Sequence, residues 1–129
     1  MEREKRNMNN FSELESKVIG WAKERGIFDN GDTLAQLDKT QEELEETILA
    51  VKNLQDWHQA MDREPSNVHP KTIETLENEV ADGIGDMLVT IIIAAEMLNL
   101  ESTDCLQLAY DEIKDRTGKM VGGQFVKDK

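Results

Sequence analysis

The chain contains only two prolines, Pro65 and Pro70, and their placement constrains the fold more than any other feature. Proline lacks a backbone donor and breaks helix interiors. The segment 61–70, which also carries Asp62, Ser66 and Asn67, therefore reads as a loop. The stretches on either side are free to form long helices, and their apolar residues recur with a helical period. A first helix is expected from Ser12, with Ser12 and Glu15 in a capping-box pattern. Phe11, Leu14, Val18, Ile19 and Trp21 give it an apolar face, and Gly26 ends it. The stretch 28–32 is rich in turn formers. Asp32 or Thr33 can cap a second helix whose buried stripe is Leu34, Leu37, Leu44, Ile48, Val51 and Leu54, running to Ala60.

Pro70 suits the first turn of a third helix. That helix carries Ile73, Leu76, Val80, Ile84, Met87 and Leu88 and continues to Leu98. Its apolar run 87–98, broken by Thr90 and Glu96, falls short of the roughly 20 residues a bilayer span needs; it reads as a helix buried on nearly all sides. A fourth helix is expected from Ser102 or Thr103, with Leu106, Leu108, Ala109 and Ile113 apolar. The tail 118–129 has three glycines and no helical period, and only 124–126 has any strand character. These readings predict an all-α, four-helix bundle. It forms a single domain over 1–129, with flexible tails expected at 1–10 and 118–129.

Charge narrows the partners. The chain of 129 residues carries 27 acidic and 15 basic residues, a formal net charge of −12. Such a surface repels nucleic acid and anionic membranes, and its plainest role is solubility. An anionic substrate would need a bound cation. The one cysteine, Cys105, excludes an internal disulfide and suits a reducing compartment. The start of the chain, Met1-Glu-Arg-Glu-Lys-Arg, does not read as a signal peptide. A cytoplasmic protein is expected.

The acids are patterned. In the second helix, Glu43 and Glu46 lie one turn apart on one face, with Glu42 beside them. Like charges at this spacing cost a few tenths of a kcal/mol per pair, a cost that makes sense if a cation binds between them. In the third helix, Glu79, Asp82 and Asp86 fall at i, i+3 and i+7, one continuous stripe. Gly83 and Gly85 sit among them, each unfavourable by about 1 kcal/mol relative to alanine within a helix. Glycines there point to a close approach by a ligand or a partner helix. Taken singly, a Glu-Glu-x-x-Glu run is usually a solvated helix face. Two facing helices with such carboxylates make a hard-oxygen site suited to Mg²⁺. A di-iron site would want Glu-x-x-His on its helices. Gln55 and Ser66 precede His58 and His69 at that spacing, so both histidines read as surface or loop residues.

The pattern Glu42-Glu43-x-x-Glu46 followed by Glu79-x-x-Asp82 resembles the MazG-like all-α nucleoside triphosphate pyrophosphohydrolases, in particular their small phage and bacterial type. Trp21-Ala-Lys-Glu-Arg-Gly26 and Ala35-Gln-Leu-Asp-Lys39 are similar to the first half of those proteins. Gly85-Asp-Met-Leu-Val89 and Glu112-Ile-Lys-Asp-Arg-Thr-Gly-Lys-Met120 are similar to the second half. The likeness spans 18–125. It implies Mg²⁺-dependent hydrolysis of an NTP or dNTP to the monophosphate and pyrophosphate, with Mn²⁺ as a possible substitute. Glu43 and Glu46 match the first acidic pair, and Glu42 the glutamate before it. Glu79 and Asp82 fit the second pair literally. Counting back from Leu98-Asn-Leu100 instead places Asp86 at the final aspartate, with Gly83 in place of the family's glutamate and Asp82 one residue earlier.

The expected metal ligands are thus Glu43, Glu46, Glu79, Asp82 and Asp86, with Glu42 or Glu43 as the base that activates water. Lys39, Lys114, Arg116 and Lys119 could meet phosphate oxygens, though surface balance is the commoner role of such cations. Trp21, Ile27 and Gln36 could line a base pocket, with core packing the favoured role of Trp21. Trp57 could cover an edge of the site or sit in a subunit interface. The resemblance also implies a homodimer or homotetramer that completes the core. Two rival readings stand beside the enzyme: a catalytically degenerate module that binds nucleotide or protein, and a plain helical interaction protein.

Overall fold

The computed structural model describes residues 10–64 and 70–129. It is mostly helical. The elements are α1 (Phe11–Glu24), α2 (Ile27–Asn30), α3 (Thr33–Arg63), α4 (Ile73–Met97) and α5 (Ser102–Ile113), followed by strands β1 (Gly118–Val121) and β2 (Gln124–Lys127). No single helix among the described residues is long and apolar enough to cross a membrane.

Helix ends follow local chemistry. Asn10, rather than Ser12, caps α1: its Oδ1 accepts from the Glu13 amide at 3.0 Å. The expected capping box does not form, because Glu15 points to another helix. Gly26, at φ +74°, closes α1 in the left-handed conformation that glycine adopts without a Cβ clash. Of the stretch 28–32, expected as a turn, residues 28–30 belong instead to the single-turn helix α2. Asp32 caps α3 as expected, accepting from the Ala35 amide at 2.9 Å. The helix runs three residues beyond Ala60, to Arg63. Pro70 lies ahead of α4 rather than inside it; Thr72 is the cap, accepting from the Thr75 amide. The expected loop begins after α3, and its residues 65–69, with His69, lie outside the described residues. At the far end of α4, Asn99 takes φ +58°, and the Leu100 and Asn99 amides donate to Ala95 and Glu96, a Schellman closure.

The centre of the fold is the antiparallel pair α3 and α4. Their line of contact is made of small and polar residues. The Thr40 and Thr90 hydroxyls are hydrogen-bonded across it at 2.7 Å. Gly83 lies so close to α3 that an added Cβ would collide with Thr47 Oγ1. Buried Ala50 continues the line on α3, and Leu76, Ile93 and Ala94 are buried on α4. Helix α1 packs on α4 through Ala22, and α5 lies against both.

One interhelical contact joins distant parts of the chain. Glu15 of α1 is 7% exposed. Its Oε2 accepts from the Ser102 hydroxyl, the Thr103 amide at 3.1 Å and the Thr103 hydroxyl at 3.3 Å. The residue at the cap position of α5, Glu101, makes no side-chain cap. Glu15 therefore caps α5 from another helix, as a negative charge at a helix N-terminus.

The apolar stripes do not pack as expected. Leu34, Leu37, Leu44 and Ile48 were expected buried, yet Leu34 is 74% exposed and the other three 45–46%. The α3 face turned to α4 is the line Glu43, Thr47 and Ala50 instead. Small residues let the two backbones approach, and the larger side chains next to that line are left outside. The run 87–98 is likewise not buried all round: Ile92, Ile93 and Ala94 are buried, but Leu88 and Ile91 are half exposed. Trp21 is exposed rather than packed in the core, with the Arg25 guanidinium 6.0 Å above its ring. On α5, Leu106, Leu108 and Ile113 are exposed as well.

The tail is not irregular. β1 and β2 form an antiparallel hairpin through Gly122 and Gly123, pairing Met120 with Phe125 and Lys119 with Val126. The all-α reading thus holds for the body of the chain and misses this two-stranded element.

Candidate metal centre

The acids of α3 and α4 meet on one side of the helix pair. Taking Glu43 and Gly83 as the facing positions, Glu46 and Asn53 fall on one flank of α3. Glu79, Asp82 and Asp86 fall on the matching flank of α4, because antiparallel helices turn their equivalent flanks to the same side. The structure agrees. Glu43, Glu46, Glu79, Asp82 and Asp86 line a single open cavity of about 330 Å³, together with Leu49, Ala50, Asn53, Lys71 and Gly83. All three acids of α4 line this cavity, those of the literal motif and Asp86 alike.

Gly83 has its own explanation. It faces Thr47 at the helix contact, with the Thr47 Cβ only 3.1 Å from where its own Cβ would stand. It is the close approach of a partner helix that requires glycine here. Gly85 has no neighbour within 4 Å of an added Cβ, and nothing in the structure explains it.

Glu43 is the most buried of the five, with its side chain 11% exposed. Desolvation holds its carboxyl above the ordinary carboxylate range, and the negative charges of Glu46 and Asp86 push it the same way. Lys39 partly offsets this from 3.8 Å, while lying 3.3 Å from Glu42. The Lys39 ammonium is in turn held above its usual range, first by its hydrogen bond to Glu42 and then by the charges of Glu42 and Glu43. Across the cavity Lys71 Nζ sits 2.7 Å from Glu79 Oε1.

The donor set is all hard oxygen, carboxylates with one amide, which fits Mg²⁺ or Mn²⁺ and not a soft metal. Burial and mutual repulsion raise the Glu43 pKa, and a divalent cation would relieve both. Among the described residues, no three Asp, Glu, His or Cys side chains stand close enough together to hold an ion as they are now oriented. The acids share a cavity and not yet a coordination sphere.

The other expected site residues are not brought to this cavity. Glu42 points outward to Lys39, with its side chain 65% exposed. Gln36 lies on the helix-facing side of α3, one turn before Thr40, whose hydroxyl donates to the Gln36 carbonyl. Trp21 is on α1, and Lys114, Arg116 and Lys119 belong to the end of α5 and the hairpin; Lys114 is 3.8 Å from Asp111. Trp57 contacts His58 edge to face, with ring centroids 5.2 Å apart. Two cavity residues escaped sequence reasoning. Asn53 is seven positions after Glu46 and so shares its flank, a signal that could have been read. Lys71 precedes the α4 cap, and nothing in its local sequence marks it.

A second cavity, of about 380 Å³, lies between α2 and the end of α4, lined by Lys23, Phe28, Gly31, Asp32, Thr33, Glu96 and Met97. Its acids are those of a helix cap and a helix terminus, so it offers no comparable donor set. No family model matches the chain, and no curated protein and no solved structure matches it.

Proposed function

We propose that the protein is a Mg²⁺-dependent pyrophosphohydrolase that cleaves an NTP or dNTP to the monophosphate and pyrophosphate. The observation that carries this reading is the convergence of five carboxylates from α3 and α4 on one open cavity, with one of them buried and raised in pKa. The order of motifs, which resembles that of the MazG-like enzymes, supplies the substrate class.

Glu46, Glu79, Asp82 and Asp86, with Glu43, would hold the cation. When bound, Mg²⁺ neutralises phosphate charge and lowers the pKa of water. The chain's own groups do the rest. Glu43, the most buried of the five carboxylates, is placed to take a proton from the water that attacks the α-phosphorus. Lys71, at the rim beside Glu79, is placed to meet a phosphate oxygen, and Lys39 balances the charge behind Glu43. Glu42 is outside the cavity, so the role of base falls to Glu43.

The second reading is a degenerate module that binds nucleotide without turnover. The observation that favours it is Gly83, whose contact with Thr47 leaves no room for a carboxylate at that position. Pyrophosphate release from a panel of NTPs and dNTPs, with and without Mg²⁺, separates the two. The enzyme predicts Mg²⁺-dependent release that is lost in Glu46→Ala. No release from any nucleotide at saturating Mg²⁺, by protein of native helix content, would refute it.

A further inference from the structure

The acidic cavity does not end at Glu79. Asn53 and Lys71 line it and also line a second cavity, of about 240 Å³, whose other residues are Asp56, Pro70 and Leu76. The two share a pair of side chains and form one groove, which runs up α3 past Asn53 and back along the start of α4. Their chemistry differs. The first is ringed by five carboxylates. The second has apolar surface from Pro70 and from Leu76, which is wholly buried. Lys71, at the junction, is the one cation among the described residues that line either cavity.

We propose that the second cavity takes the nucleoside end of the substrate, and that Asn53 and Asp56 select a base carrying an exocyclic amine: adenine, cytosine or guanine over uracil and thymine. The proposal rests on the pyrophosphohydrolase reading and adds to it the place and kind of the base. A nucleoside triphosphate has a charged end and a flat, uncharged one. The charged end belongs with the cation among the acids, and Lys71 marks the point where phosphate gives way to nucleoside. The flat end needs apolar surface, which the groove offers past Asn53. The two cavities together fall within the roughly 300–1,000 Å³ of small-molecule sites.

Selection follows from donors and acceptors. Asn53 and Asp56 are three residues apart on α3, so they stand one turn apart on the same flank. Neither side chain has a hydrogen bond or ion pair within the described residues. The Asp56 carboxylate only accepts, whereas the Asn53 amide both donates and accepts. Adenine and cytosine carry an amine beside a ring nitrogen that accepts; guanine carries one beside a ring N–H. Each can donate its amine to Asp56 while Asn53 meets the neighbouring edge of the base. Uracil and thymine would turn a carbonyl oxygen toward the carboxylate. One hydrogen bond at a partly exposed site is worth about threefold to tenfold in affinity.

Pyrophosphate release in Mg²⁺, compared within the series ATP, CTP, GTP and UTP and within dATP, dCTP, dGTP and dTTP, tests the proposal. The wild type should show kcat/KM about threefold to tenfold lower for UTP and dTTP than for the amine-bearing bases of the same sugar. Asp56→Asn, whose amide can donate to a carbonyl, should close that gap. Asp56→Ala should raise KM for ATP about threefold to tenfold with kcat little changed and leave Mn²⁺ binding by calorimetry as it was. Equal kcat/KM for all bases, or a preference that survives Asp56→Asn, would overturn the selection. If no nucleotide is turned over, the pyrophosphohydrolase reading fails, and the cavity is judged by calorimetry with AMP and UMP instead. AMP binding tighter than UMP by the same factor, with the difference lost in Asp56→Asn, supports the cavity. Equal binding, or no binding of either, overturns it.

Discussion

Replacing Glu15 tests the proposed link between α1 and the start of α5. Its carboxylate is buried and accepts three hydrogen bonds, one of them from the otherwise uncapped Thr103 amide. Glu15→Ala removes a helix cap, about 1 kcal/mol. It also removes hydrogen bonds to a charged acceptor, about 1.5–3 kcal/mol for one such bond. These terms overlap, so the expected loss is about 2–4 kcal/mol. In a chain of this size that lowers Tm by roughly 6–16 °C. Glu15→Gln keeps one acceptor and the shape, and should lose about half as much.

The pH dependence gives a second handle on the same residue. The hydrogen bond from Ser102 is the largest influence on Glu15, and its pKa is held below the ordinary carboxylate value despite burial. A depressed folded-state pKa means that the stabilisation is present above the unfolded value and disappears as pH falls through the folded one. The gap between wild type and Glu15→Gln should therefore be full at neutral pH and close below about pH 4. The assay is thermal and urea unfolding followed by far-ultraviolet circular dichroism, at one fixed protein concentration because association would shift the transition. A Glu15→Gln variant within about 0.3 kcal/mol of wild type, with a gap that does not change with pH, would refute the cap.

Gly83→Ala should destabilise by about 1–3 kcal/mol through overpacking against Thr47, even though alanine is the better helix former; unfolding of Gly83→Ala in a Thr47→Ala background should recover part of that loss, and equal losses in both backgrounds would deny the contact. Lys71→Met should tighten Mn²⁺ binding about twofold to fivefold by calorimetry, since an exposed ion pair is worth up to about 1 kcal/mol and the ammonium competes with the cation for Glu79; unchanged or weaker binding would show that the ammonium does not compete.

The helices were legible in the sequence because helix formation is largely a local matter. Two prolines in one loop, apolar residues at helical spacing and an Asp before a helical run mark α3 and α4 to within a few residues. The acids were legible for the same reason: the positions of Glu43 and Glu46, and of Glu79, Asp82 and Asp86, follow from the helical repeat alone. The C-terminal hairpin was not, since its pairing depends on a glycine turn in a segment without a strong period.

Which face of each helix turns inward was decided by packing. Periodicity shows that Leu37, Leu44 and Ile48 share a face, but not that α4 meets α3 along Thr40, Thr47 and Ala50 instead. That choice follows from Gly83 and the paired Thr40 and Thr90 hydroxyls, which bring the backbones together only when two distant segments are side by side. The same contact brings the five acids round one cavity, buries Glu43 and leaves the apolar strip outside. Glu15 gives the same lesson on a smaller scale. Its sequence neighbours suggest a local cap, while the buried carboxylate serves a helix that begins at Ser102, because only the folded chain puts those amide and hydroxyl donors within its reach.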